Sequence, residues 1–287
     1  MTPLTLREAL IAATNRLASH EALRENASRD AELLLLHTLS APRTLLFTDP
    51  DRALSSEQQA SYDASITRRE SGEPIQYITG QQEFYGLTLR ITPAVLIPRP
   101  ETEILVEAAL HRLPKDKPLR VVDIGTGSGA IAIAIAHHLP LAQLFALDIS
   151  PAALAIASEN ASTHHLEDRI SFLESDLLSA IMNEAPFDAI LSNPPYIPIT
   201  DRDSLHPQVR DHEPGSALFA GTDGLDIYKR LIPEAFAALK PGGLLAMEIG
   251  FGQRDALANL LAVWGQVEFL NDLQQIPRTA IARKPNA

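Results

Sequence analysis

Arg120-Val121-Val122-Asp123-Ile124-Gly125-Thr126-Gly127-Ser128-Gly129-Ala130 is the stretch that decides the fold. Its first half is a β-branched, mostly apolar run of the kind that forms a buried strand, and the Ala/Ile series over residues 130–138 reads as a buried helix. Between them, glycines at alternate positions let the backbone turn sharply and approach a ligand closely. The following helix start offers N–H groups with no intrahelical partner. Strand, glycine turn and helix in this order open a doubly wound α/β sheet with its ligand at the carboxyl ends of the strands.

The pattern continues downstream. Strands are expected over residues 120–124, 143–147, 170–173, 187–191, 244–249, 267–270 and 279–282, and helices over 130–138, 151–162, 226–239 and 254–263. The last two strands have no clear helix between them, which suits an antiparallel edge pair. Nineteen residues after Gly129, the second strand ends at Asp148, a carboxylate placed to accept hydrogen bonds from ribose hydroxyls. At the third strand end, Asp176 can accept from an adenine amino group and Leu177 can pack on the ring. With Gly125, Thr126, Gly127, Ser128 and Gly129, these residues form the expected cofactor site. Gly125, Gly127 and Ala130 also satisfy the dinucleotide form G-x-G-x-x-G/A, so a nicotinamide cofactor stays open on the glycine pattern alone.

The strand over 187–191 runs into Asn193-Pro194-Pro195-Tyr196. A planar NH2 group held for methyl transfer needs an acceptor on each N–H, and the Asn193 side-chain carbonyl with the Pro194 backbone carbonyl can supply both. Pro194 and Pro195 stiffen the turn, and the Tyr196 ring is expected to close over the flat substrate group. Asn193 also falls beside the cofactor. A dehydrogenase would want a general acid or base near the carbonyl carbon, and no His or Tyr-x-x-x-Lys site stands out. The segment 198–221 is too long for an ordinary connection and is expected to shape the substrate cleft.

Upstream, residues 1–75 form an expected helical domain. Thr5 and Glu8 have capping-box spacing before Leu6, Leu10, Ala13 and Leu17; a second helix is expected over residues 30–39, and a third from Ser55 or Ser56 until Gly72-Glu73-Pro74. Residues 76–118 read as a hairpin, around Gly86, and a linker, with the prolines at 98 and 100 forbidding helix until Glu101. Residues 119–287 are the expected catalytic domain.

Composition narrows the chemistry. The chain has 287 residues, 45% of them hydrophobic, and no apolar run long enough for a bilayer, so no membrane association is expected. It has no cysteine, which excludes disulfides and thiolate chemistry. The histidine pairs at 137–138 and 164–165 lack ligand spacing, so no metal is expected. A formal charge of −12 and five scattered lysines argue against extended nucleic-acid contact and favour a protein or small-molecule partner. The opening Met1-Thr2-Pro3, with acidic Glu8 soon after, reads as neither a secretory nor a transit signal, which makes the cytoplasm the expected compartment.

With these motifs in place, the chain resembles the class I S-adenosylmethionine-dependent methyltransferases, and within them the HemK/PrmC family of release-factor glutamine N5-methyltransferases. The resemblance runs over nearly the whole length, through Gly72-Glu73-Pro74, Tyr77-Ile78-Thr79-Gly80, Phe84-Tyr85-Gly86, Ile97-Pro98-Arg99-Pro100-Glu101-Thr102-Glu103, residues 125–129, Asp148, residues 193–197, Glu213-Pro214 with Ala217-Leu218, Asp223-Gly224-Leu225 and Glu248-Ile249-Gly250. It implies a seven-stranded, mostly parallel sheet with a small N-terminal helical domain, S-adenosyl-L-methionine as cofactor, and methylation of the glutamine amide in the Gly-Gly-Gln motif of class I peptide chain release factors. Two departures are local: Ala220 stands where the family usually has Gly, and Asp272-Leu273-Gln274-Gln275 lacks a usual Gly. The alternatives are a nucleic-acid adenine N6-methyltransferase, which shares Asn-Pro-Pro-Tyr, and a non-catalytic cofactor-binding module, which would not need Asn193.

Overall fold

The computed structural model describes residues 3–286, which divide into two compact units: residues 3–80 with 207–212, and residues 81–206 with 213–286.

The first unit is helical, with α1 (Leu6–Ala18), α2 (Ala27–Leu39), α3 (Leu45–Thr48), α4 (Ser56–Glu70) and α5 (Ile75–Thr79). Thr5 caps α1 as its spacing requires: the Glu8 N–H donates to Thr5 Oγ1 at 3.2 Å, and the Thr5 N–H donates to Glu8 Oε2 at 2.9 Å. Of the two serines, Ser55 starts α4, with Gln58 completing the same reciprocal box. Leu6, Ala13 and Leu17 meet Leu34, Leu35 and Ile66 in one core, whereas Leu10 is only half-buried. Helix α2 begins at Ala27, three residues earlier than expected, and Asp30 lies in its first turn. The Asp30 carboxylate is buried and accepts from Arg69 Nε at 2.7 Å, while Arg69 Nη1 donates to the Glu73 carbonyl at 2.9 Å. A buried guanidinium is tolerated because its charge and N–H groups find partners there.

The second unit begins with an antiparallel hairpin, β1 (Gln81–Phe84) and β2 (Leu87–Arg90), turning at Tyr85-Gly86. Helix α6 (Pro100–Arg112) then starts one residue before the expected Glu101, since a proline at the first helical position gives up only an N–H that has no intrahelical partner. The alternating part is β3 (Leu119–Ile124), α7 (Ala130–His138), β4 (Ala142–Asp148), α8 (Pro151–Thr163), β5 (Ile170–Glu174) and β6 (Phe187–Ser192). After α9 (Pro207–His212), which belongs to the first unit, come α10 (Asp226–Ala238), β7 (Leu239–Glu248), α11 (Arg254–Leu260), β8 (Gly265–Asn271) and β9 (Pro277–Arg283).

Seven strands form one sheet in the order β5-β4-β3-β6-β7-β9-β8, parallel except at β7/β9 and β9/β8. This is the class I methyltransferase fold, with the late antiparallel pair where the sequence suggested one. Strand β7 starts five residues earlier than expected and takes Leu239 from the helix, because Leu239 pairs with Phe187 before a register shift at Pro241-Gly242-Gly243. Helix α11 stops at Leu260, and residues 261–263 turn so that Trp264 is buried before β8. At the β8–β9 hairpin, Gln275 stands at φ 64°, the left-handed region that glycine would occupy without strain. Asp272 Oδ1 braces it by accepting from the Gln274 and Ile276 N–H groups at 2.8 and 3.0 Å. Among the described residues, no helix is long and apolar enough to cross a membrane.

Candidate active site

The order of the strands fixes where the site lies. From β3 the chain winds outward through β4 and β5, then returns to the other side of β3 as β6; ligands of such sheets bind where the winding reverses. Ile124 at the end of β3 pairs with Leu147 and with Ser192, so Gly125 and Asn193 leave the sheet side by side. Ser192 Oγ donates to the Ile124 carbonyl at 2.8 Å and ties the two strand ends together. A cavity of about 320 Å³ opens there, lined among others by Gly125, Gly127, Asp148, Asp176, Leu177, Asn193, Pro194 and Pro195.

The glycines of the turn do different work. At Gly127 the backbone has φ 55° and an added Cβ would meet nothing within 4 Å, so conformation demands glycine and leaves an open face. A Cβ at Gly129 would lie 3.0 Å from Ile133 Cδ1 and 3.2 Å from Ala157 Cβ. Gly129 thus lets α7 pack on α8 and does not line the cavity, contrary to its expected role. Thr126 and Ser128 are buried and also hold the turn instead of facing a ligand. Thr126 Oγ1 donates to Asp123 Oδ2 at 2.7 Å, and the Ser128 carbonyl accepts from Asn160 Nδ2 at 2.9 Å. The Asp148 carboxylate is clasped by the Gly127 N–H on Oδ2 and the Ser150 N–H on Oδ1, both at 2.9 Å; burial raises its pKa and these bonds oppose the rise. Asp176 Oδ2 accepts from Arg230 Nη2 at 2.8 Å, an exposed pair that engages one oxygen of that carboxylate.

At the other strand end, Asn193 Nδ2 donates to Thr102 Oγ1 at 3.1 Å. Among the described residues neither Asn193 Oδ1 nor the Pro194 carbonyl receives a hydrogen bond. Tyr196 departs from expectation: its hydroxyl donates to Glu248 Oε1 at 3.1 Å and its ring packs against the sheet core, so it braces the turn instead of closing over a ligand. Gln253 Nε2 fixes the same turn by donating to the Tyr196 carbonyl at 2.9 Å and the Gly224 carbonyl at 3.2 Å. Burial pushes Glu248 up to about 7, against the bonds from Thr102 and Tyr196; neighbouring Glu101 adds to the rise and Arg278 opposes it. Sequence reading assigned no role to Thr102, Glu248 or Gln253, although the first two lie in segments that carry the family resemblance. Arg99 pairs with buried Glu213, and Glu103 Oε1 accepts from the Tyr85 N–H at 2.8 Å, so both serve the framework.

Asp123 is the second carboxyl raised by burial to about 7, with Thr126 and the Ala132 N–H pulling it down and Asp148 adding to the rise. In the folded chain Asp123 and Glu248 hold protons to about 7, above their ordinary values of 3.8 and 4.5. Their contribution to stability is therefore full below those ordinary values and is lost as pH rises through about 7. The two windows correspond to roughly 4 kcal/mol for Asp123 and roughly 3 kcal/mol for Glu248. Urea unfolding from pH 5 to 8 should show a shallower loss in Asp123→Asn than in the wild type; parallel curves would show that Asp123 is already ionised in the folded state.

The PrmC N-terminal domain model matches residues 8–80 and the methyltransferase small domain model matches residues 101–205. The release factor glutamine methyltransferase of Koribacter versatilis is 46% identical over 99% of this chain and 100% of its own length. The chain belongs to the release factor glutamine methyltransferase family. A second family member, from Moorella thermoacetica, is 44% identical over 91% of each chain. The fold is shared more widely: a Thermus thermophilus 16S rRNA N2 G1207 methyltransferase, solved with AdoMet and guanosine, superposes with a TM-score of 0.53 at 22% identity over 71% of this chain and 49% of its own. Within the release factor glutamine methyltransferase family frame, the second matched model spans α6 to β6 and thus takes in Thr102, the glycine turn and Asn193 together.

Proposed function

We propose that Asn193 Oδ1 and the Pro194 carbonyl clamp the two N–H bonds of a glutamine side-chain amide, in an enzyme that methylates release-factor glutamine with S-adenosylmethionine. The substrate is the Gly-Gly-Gln loop of class I peptide chain release factors, met in the cytoplasm. The observation that carries this reading is the pair of acceptors without a hydrogen bond at the rim of the cavity, beside the glycine turn. The cavity suits the cofactor: Gly127 leaves an open backbone face, Asp148 offers lone pairs to ribose hydroxyls, and Leu177 supplies an apolar wall for a flat ring. Asp176 keeps one oxygen for the adenine amino group while the other holds Arg230.

S-adenosylmethionine supplies a sulfonium methyl, electrophilic through its positive charge. An amide nitrogen is a poor nucleophile because its lone pair is delocalised into the carbonyl. Two acceptors orient it and favour the charge that develops on nitrogen as the N–C bond forms and the C–S bond breaks to leave S-adenosylhomocysteine, and the nitrogen then sheds one proton to water. Tyr196 and Pro195 keep the clamp rigid, and positioning supplies most of the rate. Residues 119–287 contain the clamp and cofactor site; the segment 76–118 adds Thr102, and the helical residues 1–75 are left for contact with the protein substrate.

Incubation with labelled S-adenosylmethionine and either a Gly-Gly-Gln release factor or duplex DNA tests the reading: label should appear in the release factor, and label in the DNA alone would overturn it. Asp148→Ala removes a charged acceptor worth about 1.5 to 3 kcal/mol, so calorimetry should show S-adenosylhomocysteine binding weakened about tenfold or more. Unchanged affinity would make Asp148 a brace for the Gly127 turn only.

A further inference from the structure

Thr102 Oγ1 stands between two partners. It donates to Glu248 Oε2 at 2.5 Å and accepts from Asn193 Nδ2 at 3.1 Å. Both Thr102 and Glu248 are buried, at 4% and 2% exposure, and α6 and β7 bring them together from positions 146 residues apart. A hydroxyl has one proton. Above about pH 7, where Glu248 is ionised and accepts that proton in a hydrogen bond, the Thr102 oxygen has only lone pairs for Asn193, and the amide must turn its NH2 toward Thr102. Its carbonyl oxygen then faces the opposite way. The second Glu248 oxygen accepts from the Tyr196 hydroxyl, so one buried carboxylate sets both ends of the Asn-Pro-Pro-Tyr turn.

We propose that Thr102 and Glu248 are positioning residues that fix which end of the Asn193 amide meets the substrate. Asn and Gln amides are nearly symmetric in shape, and a flipped Asn193 would present N–H to the N–H of the incoming glutamine. The Glu248–Thr102 link removes the flipped state by leaving no donor for the Asn193 carbonyl oxygen on the Thr102 side. This rests on the clamp reading of Asn193.

The test is a double-mutant cycle on kcat at about pH 8, where Glu248 is ionised, with a Gly-Gly-Gln release factor, using Thr102→Val, Asn193→Ala and the double variant. Calorimetry with S-adenosylhomocysteine and thermal melts accompany it. Thr102→Val keeps the side-chain shape and loses the hydroxyl, so kcat should fall about tenfold or more while cofactor affinity changes by less than about threefold. In the Asn193→Ala background the same substitution should change kcat by less than about twofold, since nothing remains to orient. Thr102→Ser should recover most of the loss. Multiplying losses in the double variant, or a fall in kcat matched by an equal fall in cofactor affinity, would overturn the positioning role and leave the clamp standing. Near wild-type turnover in Asn193→Ala alone would instead remove the clamp. Should Thr102→Val not fold, Thr102→Ala takes its place in the same cycle with the same two outcomes.

Discussion

Asn193→Ala is expected to lose turnover by about 10² or more while binding S-adenosylhomocysteine almost as the wild type does. The expectation follows from where the residue stands. Its side chain contributes one of two acceptors for the substrate amide, and its hydrogen bond to Thr102 at 3.1 Å belongs to orientation, not to the glycine turn. Loss of one preorganised polar group acting on developing charge costs on the order of 10² to 10³ in kcat. The turn at Gly125 and the Asp148 clasp lie on β3 and β4 and stay in place. A Gly-Gly-Glu release factor probes the same geometry from the substrate side: a carboxylate brings no N–H to the two acceptors and should not be methylated. Turnover by a folded Asn193→Ala within a few-fold of wild type would end the clamp mechanism while leaving family membership intact.

Gly224→Ala is expected to damage stability and turnover together. Gly224 has φ 73°, and a Cβ added there would lie 2.3 Å from the Tyr196 carbonyl oxygen and 2.7 Å from Gln253 Nε2. Those two atoms are bonded to each other at 2.9 Å and hold the end of the Asn-Pro-Pro-Tyr turn. Left-handed strain costs about 1 to 2 kcal/mol and overpacking about 1 to 3 more, and the backbone that yields is that of Tyr196. The urea midpoint should drop and kcat should fall at least about tenfold. Gly86→Ala is the control. Its φ is 76°, but a Cβ there meets nothing within 4 Å, so it should show strain alone and keep its turnover. Equal effects from the two substitutions would mean that contact with Tyr196 is of no consequence.

Features written within a few residues of each other could be read from the sequence. Thr5 with Glu8 and Ser55 with Gln58 are reciprocal caps three residues apart, and the glycine turn announces its own conformation between a strand and a helix. The strand-end positions of Asp148 and Asn193 followed from the alternating pattern. Features that depend on distant partners were not readable. Nothing near Asp30 shows that Arg69 will neutralise it inside α2. Thr126 and Ser128 look like ligand contacts from their place in the turn, yet the Thr126 hydroxyl is spent on Asp123 and the Ser128 carbonyl on Asn160. The Tyr196 ring could have faced either way until Glu248 of β7 was seen to hold its hydroxyl. A strand paired through Leu239, and a six-residue helix at Pro207–His212 that joins the first unit, likewise have no local signal.

The pairing of β3 with β6 also bears on how the enzyme comes into being. Val121 pairs with Ala189, residues 68 apart in the chain by subtraction, and parallel partners of that separation meet only after a large loop has closed. During synthesis, the glycine turn and its helix leave the ribosome well before the strand bearing Asn193, and Glu248 follows later still. A growing chain therefore has no reaction centre for most of its length. Competence arrives late, once β7 has docked beside β6 and the last buried carboxylate can set the amide.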